Sequence, residues 1–76
     1  MVTAQSIKPG VYQHFKGGLY EVLECVINSE SLDSMVLYRP LGSETLWVRP
    51  YSMFFEEVER DGRRSPRFQF VSEHIH

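Results

Sequence analysis

A single cysteine, Cys25, stands in the chain, so no internal disulfide can brace it. No apolar run approaches the roughly 20 residues of a membrane-spanning helix, and Met1 to Pro9 is polar where a secretory signal would be apolar. A cytoplasmic setting with no membrane partner is therefore expected. Basic charge is in short supply as well: ten acidic and eight basic residues leave a formal charge of -2. A general electrostatic grip on nucleic acid is excluded on that ground, and any such binding would need a local basic face. Six of the eight basic residues are arginine; Arg39 and Arg49 stand alone among apolar residues, and Arg60, Arg63, Arg64 and Arg67 cluster late.

Catalytic vocabulary is equally sparse. There is no phosphate loop, no Gly-x-Ser-x-Gly elbow and no pair of carboxylates at a motif spacing. The only nucleophile–base combination is Cys25 with His14, and Cys25 sits in an apolar run that reads as a buried strand, where a thiol is a small hydrophobe. His74-x-His76 offers two imidazoles without a cysteine or carboxylate cage, too little for a metal site. No cofactor motif is present. A small hydrolase-type enzyme is thus the least supported reading.

What the chain does have is punctuation. At 76 residues it is long enough for one small domain, spanning 1–76 with an ordered core of about 9–71. Ordering each residue costs about 1.5 kcal/mol, which buried area only narrowly offsets at this size, so a homodimer would help. The stretch from Gly10 to Leu23 reads as a β-hairpin about Gly17-Gly18. A two-residue Gly17-Gly18 turn would set Phe15 opposite Tyr20 and His14 opposite Glu21. A loop of Lys16-Gly17-Gly18 would set Tyr12 opposite Val22, and it is preferred because it gathers Tyr12, Tyr20 and Val22 on one face.

Strands follow over Val11 to Phe15 and Leu19 to Ile27, the second long enough to expect a bend or bulge near Glu24. Asn28 to Asp33 is a loop in which Leu32 is expected to fold back onto the core. Ser34 to Arg39 and Thr45 to Arg49 are strands stopped by Pro40 and Pro50. Tyr51, Phe54 and Phe55 recur at helical spacing behind Pro50, giving one or two turns of helix. Asp61-Gly62 marks a second small hairpin, and Pro66 to Val71 is a last strand with Phe68 and Phe70 on one face. The fold class expected is all-β: a small curled antiparallel barrel of about five strands, SH3-like, with one short helical or 3-10 turn before the last strands. An OB-like barrel fits less well, since it usually needs a longer helix.

Gly10-x-Tyr12-x-His14-Phe15-Lys16-Gly17-x-x-Tyr20-x-Val22, then Val36-x-Tyr38-Arg39-Pro40, Trp47-Val48-Arg49-Pro50-x-x-Met53-Phe54 and Pro66-Arg67-Phe68 form a combined pattern. It resembles a family of short bacterial proteins known as a domain of unknown function, over about Gly10 to Val71. The resemblance implies a small stand-alone domain with no assigned activity. Leu41-Gly42-Ser43-Glu44 departs from it, since the resemblance implies a longer and more aromatic loop there.

The residues expected to bind a ligand are Tyr12, His14, Lys16, Tyr38, Arg39, Trp47 and Arg49. Tyr12, His14 and Lys16 alternate on one strand, as do Trp47 and Arg49 on another. Arginine forks beside aromatic faces suit an anionic or planar ligand. The structural alternatives are equally concrete. Tyr12 caps the core and His14 bonds a backbone carbonyl. Trp47 fills the core, so that Trp47→Ala costs about 3–5 kcal/mol. The arginines pair with Glu21, Glu56 or Glu57. The functional reading is a small non-catalytic binding module for a protein segment or single-stranded nucleic acid. The alternative is a structural or assembly protein acting through homodimerisation.

Overall fold

The computed structural model describes residues 2–73. Its elements are β1 (Gly10–His14), β2 (Leu19–Ile27), β3 (Ser34–Pro40), β4 (Trp47–Pro50), α1 (Tyr51–Phe54), β5 (Glu57–Arg60), β6 (Arg63–Pro66) and β7 (Phe68–Ser72). Five of the strands form one antiparallel sheet in the order β4-β3-β2-β1-β7, and β5 and β6 form a separate two-stranded ribbon. The all-β class, the short helix and the second hairpin match the expectation from sequence. Asp61 and Gly62 both take positive φ, 54° and 77°, as the two central residues of a tight hairpin turn require.

The first hairpin adopts neither expected register. His14 N–H donates to Gly18 O and Gly17 N–H donates to His14 O, both at 2.7 Å, so the loop is Phe15-Lys16-Gly17. Gly17 supplies the positive φ, 105°, that closes such a three-residue loop. Tyr12 consequently lies opposite Tyr20, and Gln13 opposite Leu19. The slip from the preferred register is an even one, so the faces survive it: Tyr12, Tyr20 and Val22 still share the inward side.

In β2 the ladder with β3 steps from Val22↔Tyr38 to Glu24↔Leu37, which makes Leu23 the extra residue of a bulge. Without it, Tyr20, Val22 and Glu24 would all face inward. With it, Glu24 turns to solvent and Cys25, opposite Val36, packs against the core. The following loop closes through Asn28, whose side-chain oxygen accepts from the N–H groups of Glu30 and Ser31. Leu32 does not fold back onto the core. Its N–H is tied to Asn28 O and its φ is 65°, which leaves the side chain exposed.

The sheet is open but strongly curled. No ladder joins its edge strands β4 and β7 among the described residues. In a flat sheet of five strands those edges would stand about 19 Å apart. Here Arg49 of β4 places its guanidinium carbon 5.7 Å from the ring centre of Phe68 on β7. The curl wraps a core of Tyr12, Val22, Val36, Tyr38, Phe54 and Phe68. Phe54 comes from α1, which fills the concave side behind β3 and β4. Its ring stacks on Phe68 at 4.1 Å and 2°, and Tyr12 and Tyr38 meet it edge-on at 5.6 and 5.5 Å. Between β1 and β7 the approach is close: a Cβ on Gly10, whose φ is 144°, would lie 2.4 Å from Ser72 O. Among the described residues no helix is long and apolar enough to cross a membrane.

Phe54→Ala is expected to destabilise the protein by about 3–5 kcal/mol, the range for deleting a fully buried aromatic. Denaturant unfolding measures this; a loss under about 1 kcal/mol would contradict the core drawn here.

Candidate functional site

The β3–β4 ladder sets Tyr38 opposite Trp47 and Val36 opposite Arg49. Opposed residues share a face, so all four turn to the concave side. Tyr38 and Val36 sit deep, while Trp47 and Arg49 belong to the rim, because β4 is the outermost strand. Trp47 is 55% exposed, against the expectation that it fills the core. The physical reason is occupancy: Phe54 and Phe68 already fill the space between the two ends of the sheet, and no element lies beyond β4 to cover the indole. The large cost expected for Trp47→Ala therefore does not apply.

Arg49 lies along the same rim. Its Nε–H donates to the Tyr38 hydroxyl at 3.3 Å and its guanidinium faces the Phe68 ring. The expected carboxylate partners are engaged elsewhere. Glu56 faces Arg67 at 3.8 Å and Glu57 faces Arg64 at 4.0 Å, and among the described residues no acid pairs with Arg49. Tyr20, Tyr38, Pro40, Trp47 and Arg49 together line a shallow pocket of about 220 Å³. Tyr20 and Pro40 were not among the residues expected from sequence to bind a ligand. Their signal was the β2–β3 pairing, which sets Tyr20 opposite Pro40 beside Tyr38.

The remaining expected residues disperse. Tyr12 is a core residue, 3% exposed, whose hydroxyl donates to Lys8 O at 2.8 Å; burial first, then Tyr51 and Cys25, raises its pKa. Lys16 lies in the hairpin loop rather than on β1, with its ammonium 5.8 Å from the Phe15 ring centre. Arg39 turns to the convex face. It opposes Glu21 there and binds it at 2.8 Å through Nε. His14 shares the concave face with Tyr12 and packs its ring at 4.9 Å from Phe68 and 6.3 Å from Tyr20. Its Nδ1 accepts from Lys16 N–H at 3.1 Å, in place of the expected bond to a carbonyl.

Burial raises the Cys25 thiol pKa, which disfavours the nucleophilic thiolate. The described residues contain no group of three His, Cys, Asp or Glu side chains placed to hold a metal, and His74 and His76 lie outside them. A wider depression of about 550 Å³ at Phe15, Arg60, Asp61, Arg63, Arg64 and Ser65 is walled by exposed charged groups of both signs. The pocket at Trp47 differs in having aromatic and proline walls and one guanidinium with no acid partner among the described residues.

The family model for DUF1653, a protein of unknown function, matches residues 10–70. The crystal structure of a protein belonging to that family from Bordetella bronchiseptica superposes with a TM-score of 0.83 at 27% identity, covering 97% of this chain and 99% of that one. No curated protein matches the chain.

Burial first, then the charges of Arg49, Arg67 and Lys16, hold the His14 imidazole below its ordinary value of 6.5. The unfolded chain therefore takes up this proton before the folded one as pH falls. The stability His14 contributes is fully present above about 6.5 and is lost on acidification toward the lower folded value. By NMR titration His14 should ionise below 6.5, and Arg49→Gln should move it upward. A midpoint at or above 6.5 in the unaltered protein would contradict the assigned surroundings.

Proposed function

We propose a binding role for this chain, which belongs to the DUF1653 family of proteins of unknown function. It is read as a non-catalytic module that seats an extended segment of another protein in the pocket of Tyr20, Tyr38, Pro40, Trp47 and Arg49. The observation that carries this reading is the exposed Trp47 beside an arginine with no acid partner among the described residues. An indole offers a large rigid contact at low entropic cost, and tryptophan and arginine are the residue types on which binding energy concentrates. Aromatic and proline walls are also the surface on which small SH3-like domains seat extended segments, and an SH3-like module acting in the cytoplasm is the setting this reading implies.

A protein segment suits the charge better than nucleic acid does. Phosphate chains are gripped by several cations at once. Here Arg39, Arg64 and Arg67 face Glu21, Glu57 and Glu56, the net charge is -2, and the pocket contributes a single guanidinium.

Trp47→Ala tests the reading. The variant should keep its stability to within about 0.5 kcal/mol, as surface changes do, while losing retention of extended peptides on the immobilised protein. Because Trp47 is the sole tryptophan, peptide binding to the unaltered chain should also shift the intrinsic fluorescence. A loss of several kcal/mol in the variant would return Trp47 to the core. RNA binding that collapses with added salt, in the absence of peptide binding, would overturn the choice of partner.

A further inference from the structure

We infer that the free edge of β4 receives an extended strand of a partner protein, and that a carboxylate of that strand rests on the Arg49 guanidinium. This rests on the binding role proposed above and adds how the partner is held and what chemistry it carries.

The first ground is the condition of the edge. β4 has β3 on one side and, among the described residues, no strand on the other. A strand so placed presents backbone N–H and C=O groups to solvent, and proteins usually blunt such an edge with charge, proline or a bulge. The β5–β6 ribbon is blunted in this way: Glu57, Glu59, Arg60, Arg63 and Arg64 cover it. β4 is not. Its only proline is the last residue, Pro50, and Leu46, Trp47 and Val48 run exposed in sequence at 49%, 55% and 53%. An added strand gains main-chain hydrogen bonds along β4, and its side chains meet Trp47 and Arg49 on the concave face and Val48 on the other.

The second ground is charge. Arg49 has Tyr38 as its hydrogen-bond partner and, among the described residues, no acid, and guanidinium forks match carboxylates. A second copy of this chain answers poorly. β4 reads Trp-Val-Arg-Pro, so a second β4 edge carries no acid of its own to set against Arg49 and adds another arginine to the seam. A partner strand carrying Asp or Glu opposite Arg49 satisfies both the edge and the charge.

The experiment uses the full chain, immobilised, and three pools of degenerate nonapeptides capped at both ends and fixed at the centre as Glu, Gln or Lys. The Glu pool should be retained roughly tenfold above the Gln pool, the ratio a charge-assisted bond provides, and the Lys pool least. Arg49→Gln should abolish the preference while leaving residual retention through Trp47. With a peptide selected from the Glu pool, amide exchange at Trp47 and Val48 should slow. Equal retention of the Glu and Gln pools overturns the carboxylate, and unslowed β4 exchange overturns the added strand; in both cases the pocket still binds. Retention of no pool overturns the binding role itself. Sedimentation as a dimer with β4 amides protected before any peptide is added overturns the inference in favour of a second copy.

Discussion

The structure depends on the parallel contact between Phe54 and Phe68. The two rings lie 4.1 Å apart and 2° from parallel, and each is essentially removed from solvent. One comes from the single helical turn and the other from the first residue of the last strand. Their contact joins the end of the sheet that holds β4 to the end that holds β7. Tyr12 and Tyr38 then meet Phe54 edge-on, and Tyr20, Tyr38 and His14 meet Phe68 edge-on. Such pairs add roughly 0.5–1.5 kcal/mol beyond the area they bury. In a chain without a disulfide or a long helix, this aromatic nucleus is what makes curling favourable.

The same nucleus shapes the rim. No polar or charged residue among those described is fully buried, so each tyrosine of the core must bring its hydroxyl to a partner at the boundary. Tyr12 reaches Lys8 O, and the Tyr38 hydroxyl accepts from Arg49. Arg49 is thus held in place by two core rings, through the Tyr38 hydroxyl and the face of Phe68. Its guanidinium is held there with no acid partner among the described residues. A held cation beside an exposed indole is the pairing on which the proposed binding role rests.

Strand positions were legible because glycine, proline and short polar loops delimit them. β2 spans the residues expected, and the strand expected to end before Pro40 gains only that residue. Two features were not legible. The hairpin register turned on which of two adjacent glycines takes positive φ, and Gly17-Gly18 does not announce the answer. The exposure of Trp47 was hidden for a different reason. Leu46-Trp47-Val48 reads as core by apolarity, yet burial depends on whether another strand lies beyond, and that is a property of sheet order. Tyr20 and Pro40 escaped notice on the same account, since only the β2–β3 register sets them beside Tyr38.

Arg39 and Arg49 show how far strand parity alone decides the role of a residue. Both stand beside proline in apolar strands, and the sequence treats them alike. Arg39 follows the inward Tyr38, so it faces outward, where Glu21 opposes it across the ladder and closes on it at 2.8 Å. In that half-buried pair each charge answers the other, which leaves none to offer. Arg49 opposes the inward Val36, so it enters the concave face, and the bulge at Leu23 has already turned Glu24 away from that face. The concave side of the sheet therefore keeps a cation and loses the acid that could have quenched it. A one-residue change of register in either strand would exchange these roles, which is why the site belongs to the ladder as much as to the residues that line it.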